Sequence, residues 1–162
     1  MPRRFNCCIF NHPVPICCPF VNLTCTNEVV NPSFANDFGF FNNSAIGTVA
    51  PQAIIPVLLV SSEGTSIASN GAGAATLVPG SYQVSYLANG TVPASGTMSI
   101  KLELNGLQVP GSVLTATQTA GNVVNLTQSM IISITSPSTL ELVNNSADNT
   151  AFAYASLSIR RI

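Results

Sequence analysis

Residues 97–108 constrain the fold more tightly than any other stretch of the chain. From Thr97 to Leu104, Met98, Ile100, Leu102 and Leu104 alternate with Ser99, Lys101 and Glu103. Successive side chains of a strand point to opposite faces, so this is the period of a half-buried strand and not of a helix. Asn105-Gly106 follows at once. That pair tolerates the positive φ angles of a two-residue hairpin turn, so a second strand is expected directly after it.

The same grammar recurs along the chain. Pro79-Gly80 is read as a turn before Ser81 to Leu87, where Tyr82, Val84 and Tyr86 share a face. Val123 to Thr135 reads as one long strand or a strand pair, ended by Pro137. Leu140 and Leu142 alternate in a short strand, Asn144-Asn145-Ser146 turns the chain, and Thr150 to Ile162 closes it as a last strand. No apolar stripe at helical spacing is long enough for a core helix, and no Gly-X-Y run marks a collagen segment. Short strands punctuated by Gly, Pro and Asn predict an all-β sandwich or jelly roll.

The first third has a different composition. Seven of the eight phenylalanines precede residue 42 (Phe5, Phe10, Phe20, Phe34, Phe38, Phe40 and Phe41), and six of the eleven prolines lie at or before Pro51. Proline-rich chain favours extended geometry and resists helix. Residues 1–45 are therefore expected to be an extended arm, and residues 46–162 the sandwich. All five cysteines fall in this arm: Cys7, Cys8, Cys17, Cys18 and Cys25. An odd count leaves at least one thiol without a partner in its own chain. Inter-subunit disulfides, free or buried thiols, and metal binding are the three readings. Adjacent cysteines in extended chain point to opposite faces, whereas structural zinc sites space their ligands by two to four residues. The first reading is favoured, and no metal is expected.

Charge excludes further classes. Asp, Glu, Lys and Arg make up 7% of residues and the net charge is -1, against about 25% charged in an ordinary soluble domain. No basic footprint for nucleic acid exists, nor a polybasic membrane patch. A surface of Ser, Thr, Asn and Gln with little charge repulsion associates readily. The opening MPRRFNCCIFNHPVPICCPF holds no apolar run of secretory-signal length, so no signal is expected, and no segment reaches the length of a membrane-spanning helix.

Chemistry is thin. His12 stands alone in the arm, and Glu28, Asp37, Glu63, Glu103, Glu141 and Asp148 are scattered, so a catalytic dyad or triad would need long-range help. Gly71-Ala72-Gly73 lacks the Lys-Ser/Thr of a phosphate loop. Residues 144–149 read as a plain turn without the carboxylate density of a calcium loop. Lys101 and Glu103 read as an exposed charged pair, which argues against an isopeptide bond from this lysine. Asn22, Asn42, Asn89, Asn125 and Asn144 begin Asn-x-Ser/Thr triplets, at a frequency chance explains in a chain of this composition. No cofactor and no enzymatic activity are expected.

The stretches ATLVPGSYQVSY (75–86) and SIKLELNGLQVPGS (99–112), with the final ASLSIRRI (155–162), resemble the C-terminal domain of BclA-like exosporium proteins of spore-forming bacteria. FNNSAIGTVAPQAIIP (41–56) is similar to the opening of that domain. The resemblance spans about residues 41–162. It implies a TNF/C1q-like jelly roll that forms a homotrimer on the spore surface. The exosporium leader and collagen-like stalk usual in that family are missing, and the Cys-rich arm resembles, in composition and position, the N-terminal connectors of endospore appendage (pilus) subunits.

The expected function is a structural subunit of a disulfide-linked spore fibre. Homotrimers would join head to tail, with Phe5, Phe10 and Phe20 docking into a neighbour and the five cysteines locking the junction. A spore-coat or exosporium anchor protein is a further expected partner. The expected location is the spore surface, reached after the mother cell lyses. The alternative is a spore-surface adhesion module anchored by its arm, with Phe152 and Tyr154 as apex ligand contacts. A glycan hydrolase and a viral capsid or fibre protein are lesser readings.

Overall fold

The computed structural model describes residues 37–162 and, before them, the backbone of Cys7–Cys8 and Ile16–Cys17. The chain forms two compact units, Met1–Ser33 and Phe34–Ile162. In the first, strands β1 (Cys7–Cys8) and β2 (Ile16–Cys17) pair antiparallel, with Cys7 opposite Cys17 and Cys8 opposite Ile16. Cys18, Cys25, Phe5, Phe10, Phe20 and His12 lie outside the described residues.

In the second unit the strands are β3 (Phe38–Asn43), β4 (Gly47–Val49), β5 (Leu58–Glu63), β6 (Ile67–Ser69), β7 (Ala75–Leu77), β8 (Gly80–Thr91), β9 (Thr97–Leu104), β10 (Leu107–Gln108), β11 (Leu114–Thr117), β12 (Val123–Ile134), β13 (Ser138–Asn144) and β14 (Thr150–Arg161). One sheet runs β12-β8-β14-β3-β5, with β4 also on β14; the other runs β10-β9-β13-β7-β6, with β11 also on β9. All pairings are antiparallel. Between the sheets lies one core, to which β8 contributes Tyr82, Val84, Tyr86 and Ala88, β9 Met98, Ile100 and Leu102, and β14 Ala155, Leu157 and Ile159. The expected all-β sandwich is therefore the observed fold.

Local chemistry explains the joints. Asn105 (φ 52°) and Gly106 (φ 75°) make the two-residue turn from β9 to β10, where Leu107 pairs with Leu104. The PGS motif then interrupts the sheet edge between β10 and β11. Ser112 is fully buried there, and its hydroxyl accepts from Leu102 N–H (3.1 Å) and lies 2.7 Å from the Val109 carbonyl. A side chain thus replaces the missing strand partner, since a buried N–H must be satisfied. At the same joint, the Tyr86 hydroxyl lies 2.5 Å from the Ser112 carbonyl and 2.8 Å from Gln128 Oε1, and burial pushes its pKa up to about 12.

Several expectations need correction. The body begins before residue 46: β3 lies between β14 and β5, and Phe41 is fully buried. Its FGFFNN sequence is too short and too close to the Phe-rich stretch to read as a separate strand. At Gly39 a Cβ would meet Ile67 Cγ2 at 2.5 Å, so glycine lets β3 pass close to β6. Residues 123–134 form one long strand, one of the two expected readings. Lys101 is not solvent-facing; it is 8% exposed. Phe152 is no apex ligand contact, being 2% exposed in the core. The register of β14 against β8 shifts between Phe152 and Tyr154. A bulge inserts one residue, so Phe152 and Leu157 both point inward although they differ in parity.

The ends of the body are clasped together. Asp37 Oδ2 accepts from Ser66 N–H (3.1 Å), and Arg161 N–H donates to the Asp37 carbonyl (2.9 Å). The Arg161 guanidinium donates to Ser66 Oγ (2.7 Å) and the Pro79 carbonyl (3.1 Å).

Candidate functional site

The β12-β8-β14-β3 sheet turns one face to the core and the other to solvent. Strand pairing lines its side chains up in rows. Ser129, Ser85, Ser158 and Phe40 form one; Thr127, Leu87, Ser156 and Asn42 the next; Asn125, Asn89 and Tyr154 a third; Ile131, Gln83, Arg160 and Phe38 a fourth. Within them Ser85 Oγ bonds Ser129 Oγ (2.9 Å) and Asn89 Nδ2 donates to Asn125 Oδ1 (2.7 Å). These side chains satisfy one another across strands. Arg160 and Tyr154 are the ionisable groups in these rows.

At the β12 edge this face meets an apolar groove of about 450 Å³ between β10 and β12. Leu107, Val109, Pro110, Ile131 and Ile134 line it, with Leu107 74% and Ile131 66% exposed. A second groove of about 370 Å³ lies along Thr65, Ser66, Thr76, Val78 and Thr139. Neither groove is lined by an ionisable side chain. Among the described residues no group of three or more His, Cys, Asp or Glu is placed to hold a metal ion.

Charge gathers on the other sheet. Lys101 Nζ lies 2.8 Å from Glu103 Oε1 and donates to Gln52 Oε1 at 2.6 Å. Glu141 pairs in register with Glu103, and burial, helped by the Glu103 charge, raises its pKa. Gln52 Nε2 donates to Asn145 Oδ1 (3.4 Å), and Asn145 Nδ2 to Ser99 Oγ (3.0 Å). Asn144, within the stretch read as a plain turn, is fully buried. Its Nδ2 donates to the carbonyls of Val49 (2.9 Å) and Ala50 (3.2 Å), and its Oδ1 accepts from Ser146 N–H (3.0 Å).

Of the residues expected to carry function, the body holds Tyr154, half-buried on the outward sheet face, and Phe152, in the core. It does not bring them together as an exposed aromatic pair. The sequence does not mark Gln52 or Ile131 as functional, and it marks Asn144 only as a turn residue and the start of an Asn-x-Ser triplet. The alternation of β12 places Ile131 outward; nothing local marks Gln52 or the burial of Asn144.

No protein-family model matches this chain, and no curated protein matches it. Solved structures do. The globular domain of a zebrafish complement 1qA protein superposes with a TM-score of 0.63 at 10% identity, over 78% of this chain and 97% of that one. The Eiger TNF from S. frugiperda gives 0.60 at 11% identity, over 77% and 91%. The PRD1 vertex protein P5 gives 0.53 at 15% identity, over 79% and 98%. The body is thus a TNF/C1q-like jelly roll.

Proposed function

We propose that this chain is a structural, non-enzymatic subunit that self-associates through its jelly-roll body and becomes covalently linked through its N-terminal cysteines, as part of a fibre on a bacterial spore surface. The observation that carries the reading is the almost uncharged outward face of the β12-β8-β14-β3 sheet, continuous at Ile131 with the apolar β10/β12 groove. Small, mutually hydrogen-bonded side chains lose little conformational entropy on being covered, and little charge has to be desolvated. The body buries this surface by forming a homotrimer.

Residues 1–36 link one trimer to the next. Cys7 stands opposite Cys17 in the β1–β2 pair, at a Cα separation that antiparallel pairs and disulfides share, about 4.5–5.5 Å. A bond there within one chain leaves Cys8, Cys18 and Cys25, an odd number, for links between subunits. Head-to-tail contacts of this type do not close and so give filaments. The spore location rests on the resemblance of residues 75–86 and 99–112 to BclA-like domains.

Deletion of residues 1–36 tests this reading, because residues 34–162 are a compact unit of their own. The truncated protein is expected to give discrete trimers. The full chain should give filaments that run as a ladder on non-reducing electrophoresis and collapse on reduction. Filaments from the truncated protein, or full-length monomer with and without reductant, overturn the proposal.

A further inference from the structure

Lysine occurs once in this sequence, at Lys101 in the middle of β9. Its residue is 8% exposed, and its Nζ touches the Glu103 carboxylate at 2.8 Å and the Gln52 amide oxygen at 2.6 Å. A C=O bond is about 1.23 Å long, so Nζ lies within about 3.8 Å of the amide carbon. That is close to the separation of about 3–3.5 Å at which held groups react.

Gln52 is held there at a cost. It is the third residue of the turn Ala50-Pro51-Gln52-Ala53, closed by Ala53 N–H donating to the Ala50 carbonyl (3.2 Å), and its φ is 58°. Such a turn calls for glycine or asparagine at this position. Among the described residues, the other non-glycine residue with positive φ, Asn105, suits its hairpin turn; Gln52 has no such excuse in the backbone. What distinguishes it is its side chain. Asn145 Oδ1 takes the amide nitrogen (3.4 Å), and the Gln52 N–H donates to the Asn144 carbonyl (2.8 Å), so the amide oxygen and carbon face Lys101.

We propose that Lys101 and Gln52 form an intramolecular isopeptide bond. Glu103 takes a proton from the Lys101 ammonium, and the freed Nζ lone pair attacks the Gln52 amide carbon. The tetrahedral adduct passes its extra Nζ proton to the amide nitrogen and expels it as ammonia, which takes the proton back from Glu103 and leaves as ammonium. One C–N bond forms and one breaks, with no oxidant and no water consumed. Glu141, in register with Glu103, has a proton affinity raised by burial and by that neighbour. A second carboxyl group thus stands beside the one that takes the Lys101 proton. The bond ties the segment between β4 and β5 to β9 and closes residues 52–101 into a ring. It is independent of assembly through the β12-β8-β14-β3 face.

Mass spectrometry of the folded full chain, reduced and alkylated so that disulfides do not contribute, tests it. The expected mass lies about 17 Da, one ammonia, below that of the sequence. Trypsin should fail to cut after Lys101, and fragmentation should show one branched peptide carrying both residues. Gln52→Gly, which suits the positive φ and keeps the turn, and Lys101→Arg should each restore the full mass. Glu103→Gln should slow or stop the loss in a chain that still folds. A wild-type chain at full mass and cut after Lys101 overturns the proposal. A deficit that persists in Gln52→Gly overturns it too.

Discussion

Replacing Asn144 by alanine should be among the most damaging single changes outside the apolar core. The side chain is fully buried and joins two separate pieces of backbone. It donates to Val49 (2.9 Å) at the end of β4 and to Ala50 (3.2 Å) in the following turn, and it accepts from Ser146 (3.0 Å) in its own turn. Backbone bonds run alongside it, from Gln52 N–H to the Asn144 carbonyl (2.8 Å) and from Asn144 N–H to the Ala53 carbonyl (2.9 Å). Alanine keeps those backbone bonds and removes the side-chain ones. A buried polar group left without a partner costs about 1–3 kcal/mol. With the Val49 carbonyl and the Ser146 N–H as the two groups worst served, the loss should be about 3–4 kcal/mol. For a chain of this length that lowers Tm by roughly 6–16 °C.

Urea unfolding, followed by tyrosine fluorescence at one fixed protein concentration, is the assay, because self-association adds concentration-dependent stability. Asn145→Ala is the matched control: its side chain is less buried, bonding Ser99 Oγ at 3.0 Å and Gln52 at 3.4 Å, and should cost about 0.5–1.5 kcal/mol. The slope of the transition should be the same in both variants. If Asn144→Ala falls within about 0.5 kcal/mol of wild type, the range of ordinary surface changes, the reasoning from buried hydrogen bonds is refuted.

Other outcomes follow from the same structure. Ser158→Arg adds a charge to the middle of the β12-β8-β14-β3 face, where an unpaired buried ion costs about 3–5 kcal/mol; association measured by sedimentation should weaken at least about 100-fold. Thr117→Arg, on exposed β11 of the other sheet, should leave it unchanged, and equal behaviour of the two variants would remove the face as an interface. Phe152→Ala should cost about 3–5 kcal/mol by opening a cavity in the core, measured as the shift in urea midpoint, whereas an exposed ligand contact would lose almost nothing. Glu141 has its pKa raised from 4.5 in the fold. The fold then binds the proton more tightly than the unfolded chain, so the contribution of this group favours folding below pH 4.5 and is lost as pH rises through the raised value. Glu141→Gln should therefore stabilise at neutral pH, by about 0.2–1 kcal/mol for a like-charged cross-strand pair, and bring no gain in acid. Melting curves at both pH values check the sign.

Much of the architecture could be read without a structure, because a strand buried on one face leaves a period-two record in its own residues. The alternation in β8, β9 and β13 and the Asn105-Gly106 turn are local, and each appears where the sequence places it. The Phe-rich composition of the first third misled at β3, since the residues that make Phe38–Asn43 a strand of the sheet are its neighbours β14 and β5, more than a hundred and about twenty residues away. The candidate surface was only half visible. Its serines and asparagines stood in the strands as polar positions, yet which of them share a row depends on strand order.

By itself the sequence determined an all-β body, its hairpin turns, its near-absence of charge and the confinement of thiols to its first 25 residues. All of these follow from residue type and near-neighbour spacing. Tertiary structure alone decided the rest. A bulge of one residue turned Phe152 into the core, a turn brought from residues 50–53 covered Lys101, and Asn144 became a buried joint. Burial and hydrogen-bond partnership are properties of what packs against a residue, and a chain that returns from far along its length leaves no local mark of where it will lie.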